Sequence, residues 1–421
     1  MTTELWDPLA GYAQRLHAVV GDEHHVASPL GAWLLLALCA PASTGASRDE
    51  LAEILGMDAM RAATAAAALL DNPHPLVPSA TAMWHRPGYD IGGLSRWKAT
   101  LPRATEVGPL PDQASLDAWA REHTLGLIER FPLQMSLEVV LALASALATR
   151  VSWEEPFEVV PAGALGPHSS WAGRLTRALR TPEQGHTSYI ATTERAGDVI
   201  VHVARAKSGR SRLDEAGLSV VSIAAAPDVK PADVLAAAYQ LGPAATDGGP
   251  AGRRSLFDLP LGEDRLWTIR EEPVLTRAAD GREEQHRAVL PCWSATSDHD
   301  LRADGLGFPA AARILATMLE TKLDFAARQT AMARYGRYGF EAAAVSGFFT
   351  IDSAPSPGVA RIAELRFGHP YAVIAVATDT RYDTDRQRVV IGPWHGVPVF
   401  SAWVSEPEDV PAADAGPRPA E

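Results

Sequence analysis

The chain has 421 residues, 47% of them hydrophobic, and a formal net charge of −13 from 38 basic and 51 acidic side chains. That content supports a substantial core and excludes global disorder, while the acidic balance argues against a nucleic-acid or anionic-membrane partner. Two cysteines, Cys39 and Cys292, are too few for a disulfide framework or a structural zinc site. The opening residues MTTELWDPLAGY carry neither a basic start nor an apolar stretch, and the run 32–41 is too short to span a bilayer. The expectation is a cytoplasmic protein, with an extracellular one as the alternative.

In chain order, residues 8–20 have helical spacing through Leu9, Tyr12, Leu16 and Val19. Ser28-Pro29 is a helix start before an apolar stretch with Trp33, Leu34, Leu35 and Leu38, a helix buried nearly all round. Ser47-Arg48-Asp49-Glu50 matches a capping box opening 51–55, and 60–70 is an alanine-rich helix. Residues 79–85 read as a strand and 115–130 as a helix. The apolar run 137–151 reads in its second half as a central strand buried on both faces. Strands are expected at 199–204, 218–225, 266–276, 286–293, 371–378 and 398–404, helices at 231–241 and 308–318, and extended chain at 325–335. From about Ser405 the chain is acidic and rich in Pro and Ala, which suggests a disordered tail, 405–421, behind a single domain, 1–404.

Several local patterns are better explained by structure than by chemistry. His24-His25 and Asp298-His299-Asp300 offer metal-ligand side chains without a further group at a set spacing, so they read as solvated surface. Ser95 and Lys98 fit Ser-x-x-Lys, but the companion motifs of an acyl-enzyme are missing. No phosphate loop, dinucleotide fingerprint or nucleophile elbow occurs, so no cofactor, metal or catalytic residue is assigned. The unusual stretch is 339–367, which runs from small residues through a Pro/Gly/Ser-rich middle to the strand-like Glu364-Leu365-Arg366-Phe367. A loop of this length in one domain is more often functional than idle.

Motifs along the whole chain give that loop a context. Ser28-Pro29 with Ser47-Arg48-Asp49-Glu50-Leu51 comes first, followed by Asp117-Ala118-Trp119 with Thr124, Gly126 and Ile128. Ser145-Ala146-Leu147 runs on to Trp153-Glu154-Glu155-Pro156-Phe157, and Leu290-Pro291-Cys292-Trp293 precedes Asp300-Leu301 and Leu306-Gly307. Phe367-Gly368-His369-Pro370-Tyr371 and 398–404 ending at Pro407 complete the set. Together and in this order they resemble the serpin family, and the chain is similar to a bacterial serpin-like protein. The resemblance implies one α+β domain with the serpin fold: three β-sheets, eight to nine helices and an exposed reactive-centre loop, here 339–366.

The resemblance also implies a function. Serpins are monomeric suicide inhibitors of serine, or alternatively cysteine, proteases; the protease cleaves the loop, here within 339–361, and the hinge side inserts into the main sheet. Gly339-Phe340-Glu341-Ala342-Ala343-Ala344 is similar to the family's hinge. Counting from Gly339 as the family does places the reactive bond at Ser353–Ala354. Counting back from Phe367 gives Val359, so the loop carries an insertion, and the basic alternative is Arg361–Ile362. Ser28, Ser145 and Gln329 match the polar cluster under the sheet opening, with Ser145 and Gln329 placed to bond to each other. Trp153 matches the tryptophan at the top of that opening. Phe340 stands where the family has Thr or Ser, and Arg337 where it has an acidic residue. These departures make a non-inhibitory, serpin-fold binding protein the alternative.

Overall fold

The computed structural model describes residues 4–88, 92–136, 138–206, 214–246, 252–321, 324–339, 356–383 and 387–416. The helices among them are α1 (Trp6–Val20), α2 (Pro29–Cys39), α3 (Ala46–Leu55), α4 (Ala59–Leu70), α5 (Gly92–Lys98), α6 (Gln113–His123), α7 (Pro231–Thr246) and α8 (Phe308–Met318). Spacing decides their faces: α1 buries Leu9, Tyr12, Ala13 and Leu16, while α2 is buried on nearly every side. The Ser28 hydroxyl caps α2 by accepting from the Gly31 N–H, and Pro29 sits in the first turn where its missing N–H costs nothing. The expected capping box at Ser47 does not form. Gly45 takes the N-cap position of α3, and the Ser47 hydroxyl instead donates to the Thr44 carbonyl. The helix expected over 115–130 ends at His123, because Leu125 (φ 55°) and Gly126 (φ 77°) turn the chain left-handed.

The largest sheet has the order β1 (His25–Ala27), β18 (Val397–Val404), β16 (Tyr371–Asp383), β9 (Asp214–Ala224), β8 (Gly197–Arg205), β7 (His186–Thr193), with β17 (Arg388–Ile391) added to β16. Two-residue alternation divides its strands between two apolar clusters. Val201, Val203, Val221 and Ile223 face α7, while Ile200, Ala204, Val220 and Ala224 face the main core that contains α2.

A six-stranded sheet follows the order β10 (Gly262–Glu263), β11 (Trp267–Thr276), β15 (Ser356–Arg366), β12 (Arg282–Leu290), β6 (Arg177–Arg180), β5 (Glu158–Pro161). Successive strands β11 and β12 do not pair with each other. They straddle β15, antiparallel on one side and parallel on the other. Loop 339–366, as expected from sequence, is therefore shorter on its C-terminal side: from Ser356 the chain is already a strand with a partner on each edge.

The remaining strands make two small sheets, β3 (Thr105–Pro109) with β2 (Ser79–His85) and β4 (Leu141–Leu147), and β13 (Trp293–Asp300) with β14 (Arg328–Tyr335). They flank one cleft, so the expected third sheet is present as two halves. Strand β4, expected to be central and buried on both faces, pairs only with β2 and is half-buried over its first three residues. The tail is a second correction. Residues 405–416 pack on the domain: Val410 is 3% exposed, the Glu408 N–H donates to the Cys292 carbonyl at 2.7 Å, and a short 3-10 turn covers 412–414.

Candidate functional site

The cleft lies between the facing edges of β4 and β14, and neither strand has a second sheet partner among the described residues. Its floor is the start of α2, with Ser28 and Gly31. Its outer wall is α6 and the turn after it, which contribute Trp119, Thr124 and Phe131. Unpaired strand edges facing each other across a gap are a template for one more strand, since the N–H and C=O groups that point into the gap have no ladder partner. The chain leaving β14 at Tyr335 continues through Gly339 into the stretch that begins at Phe340 in sequence.

At one end the cleft is sewn shut. The Trp153 N–H donates to the Tyr338 carbonyl at 3.2 Å, and its indole N–H donates to the Gly336 carbonyl at 2.9 Å. The Phe157 N–H donates to the Arg337 carbonyl at 3.0 Å, and Ser152 bridges Gly339. Gly339 is required there: its φ is 101°, and a Cβ would lie 2.8 Å from the Ser152 Cα. Beneath this seam Trp153, Phe157, Tyr335 and Trp293 form an aromatic cluster, with Trp293 stacked on Tyr335 at 6.0 Å. His186 closes its side by bonding to the Glu155 carbonyl at 2.8 Å and to His202 at 2.9 Å. Burial pushes the His186 pKa down to about 4 and that of His202 well below the usual range, and it raises the Tyr335 phenol.

Ser28, Ser145 and Gln329 do come together at the cleft floor, but Ser145 and Gln329 do not bond to each other. The Ser145 hydroxyl donates to the Gly31 carbonyl at 2.9 Å. Gln329 takes the Ser28 backbone instead, accepting from its N–H and donating to its carbonyl. The next residues of β1 are held the same way, Val26 N–H by the Ser297 hydroxyl and Val26 carbonyl by His299 Nε2 at 2.7 Å. His299, read as surface, is thus a buried clamp between β13 and β1. His25 is buried too, and His24 bonds to the Ser294 carbonyl at 2.8 Å.

The hinge residues Phe340, Glu341, Ala342, Ala343 and Ala344 and the bond Ser353–Ala354 lie outside the described residues. The alternative bond Arg361–Ile362 is within them and is not in a loop. It sits in the middle of β15, opposite Glu271 and Arg270 on one side and Glu284 and Gln285 on the other. The Arg361 guanidinium donates to the Leu256 and Leu259 carbonyls and to Glu271, and it lies 4.8 Å from the Phe257 ring. A bond that is paired on both edges and anchored by its own side chain cannot enter a protease cleft.

No protein-family model and no curated protein matches the chain. Solved structures do. The thermophilic serpin tengpin in its native state matches with a TM-score of 0.60 at 12% identity, over 96% of this chain and 95% of that one. Arabidopsis AtSerpin1 matches with 0.59 at 16% identity, over 97% and 100%. Human thyroxine-binding globulin complexed with thyroxine matches with 0.58 at 12% identity, over 96% and 98%. At these identities the likeness is one of architecture, and it runs through nearly the whole molecule: the chain has the serpin fold.

Proposed function

We propose that the protein is a monomeric, serpin-type suicide inhibitor of a serine protease that accepts small residues, cleaved at Ser353–Ala354. The observation that carries this reading is the cleft between β4 and β14: two unpaired edges, a largely apolar lining, and a chain that leaves β14 next to it. Inserting the run 340–350 as a strand would pair both edges at once, so the uncleaved fold is a kinetically held state. The test is incubation with subtilisin-, elastase- and trypsin-like proteases. An SDS-stable complex with one of the first two, and a large rise in melting temperature after loop cleavage, is the expected result. Clean cleavage with no complex and no thermal gain overturns it.

The second reading is a serpin-fold binding protein whose loop does not insert; thyroxine-binding globulin in complex with thyroxine is a case of this fold holding a small ligand. Two observations favour it: Phe340 at the leading position of the insertion, and Arg337 tying the seam to the C-terminal segment. Phe340→Thr separates the two readings. Complex formation that appears only in the variant identifies the aromatic ring as the block.

A further inference from the structure

Beyond β18 the chain crosses the outside of the seam. It is fastened first at Glu408, whose N–H donates to the Cys292 carbonyl and whose carboxylate accepts from the Ser294 hydroxyl at the start of β13. Asp409 then accepts from the Thr176 N–H at 3.0 Å and the Arg177 N–H at 2.8 Å, and Val410 is buried in the core. From these anchors the segment reaches Arg337, whose Nη1–H donates to the Asp414 carbonyl at 2.6 Å and the Gly416 carbonyl at 2.7 Å. The same guanidinium donates from Nε to the Phe157 carbonyl at 3.0 Å and lies over the Tyr338 ring at 5.0 Å.

One planar, permanently charged group therefore joins both sides of the seam and the C-terminal segment. Admitting another strand means widening the cleft by one strand spacing, about 4.8 Å. That parts 152–157 from 336–339, and Arg337 cannot then keep Phe157 and the C-terminal carbonyls together.

We infer that residues 408–416 are a strap that holds the cleft closed through Arg337, so that the rate of strand entry is set by release of this segment. The inference rests on the strand-accepting cleft proposed above. It also gives Arg337 a job where the resembling family has an acidic side chain, which could not bind two carbonyls.

The experiment uses the full chain, Arg337→Ala, a deletion of residues 412–421 and the two combined. Each is mixed with a labelled synthetic peptide copying residues 340–350, and peptide uptake is followed by anisotropy and native gel. Loss of the charge-assisted bonds to the Asp414 and Gly416 carbonyls predicts uptake about tenfold faster in the deletion. Uptake should be at least as fast in Arg337→Ala, which also gives up Phe157, with the combination no faster than Arg337→Ala because the strap contact is already gone there. The deletion keeps the buried Val410 and all the strands, so it decides the matter if Arg337→Ala folds poorly. Equal uptake by all four proteins, or rates that multiply in the combination, overturns the strap while leaving the cleft reading intact. No uptake by any of them sinks the cleft reading and the strap with it.

Discussion

Gln329 holds both backbone polar groups of Ser28: its Oε1 accepts from the N–H at 2.9 Å, and its Nε2 donates to the carbonyl at 2.8 Å. Gln329→Ala leaves both groups without these partners at a position 5% exposed, and is expected to cost about 1–3 kcal/mol. Ser145→Ala removes one bond to Gly31, whose carbonyl lies within α2, and should cost about 0.5–1.5 kcal/mol. Urea denaturation of both variants checks the ranking, and the reverse order refutes it.

Stability should fall in acid. Around His17 the bonds form one directed chain of neutral groups. The Tyr239 hydroxyl donates to Ser401, Ser401 to His17 Nε2, His17 Nδ1–H to His25 Nε2, and His25 Nδ1–H to the Glu23 carbonyl. Burial, with His25 and His299 alongside, lowers the His17 pKa from 6.5 to about 3; that of His186 falls to about 4. The unfolded chain protonates these histidines near 6.5 and the folded one resists. Stability is thus full above that pH, falls as pH drops below it, and stops falling near the folded values. Each group contributes about 1.4 kcal/mol per pH unit inside its window. Melting temperatures from pH 7.5 to 4.5 measure this, and a flat profile contradicts it.

Trypsin should spare the loop. Residues 340–355 contain no Lys or Arg, and Arg361 is held inside β15. Brief exposure of the native protein to trypsin should give no product ending at Arg361, whereas elastase or subtilisin should cut within 340–355. Intact-mass analysis distinguishes the two. Arg361→Ala, which loses two carbonyl partners and the Phe257 ring, should cost about 2–4 kcal/mol.

Two glycines of the seam should respond differently. At Gly339 an alanine meets a positive φ and the backbone of Ser152 and Trp153, so Gly339→Ala should destabilise the protein by about 1–3 kcal/mol. At Gly336 the nearest heavy atom to a new Cβ is 3.9 Å away, and Gly336→Ala should stay within about 0.5 kcal/mol. Denaturant midpoints compare them directly.

The elements that sequence reading located well are those with a clean period. Helix α8 and strand β2 fall on their expected residues, because Phe308–Met318 and Ser79–His85 each carry a complete apolar pattern. Misses arise where the chain is shaped by a distant partner. Nothing local marks 405–416 as ordered, since its anchors are the backbones of Cys292, Thr176 and Arg177 and the side chain of Arg337. Of β15 the sequence pattern shows only the end, from Glu364; residues 356–363 read as loop because Pro357 and Gly358 open them, yet the Val359 N–H bonds to the Gly281 carbonyl there. His299 was legible in principle. Trp293, Ala295, Ser297 and His299 alternate with charged or small polar residues, and that period places the histidine on the inner face of β13.

The position of β15 has a consequence for what remains after a cut in 340–355. The fragment beginning beyond the cut contributes β15 to one sheet and β16, β17 and β18 to another. Of these, β15 pairs with β11 and β12, β16 with β9, and β18 with β1, all strands of the larger fragment. A nicked molecule is then a two-chain complex held without any covalent link, running as one species on a native gel and as two bands in SDS. Cleavage frees two ends, but the new N-terminus of the smaller chain is anchored where β15 begins at Ser356, paired on both edges, so the rearrangement that follows is expected on the β14 side.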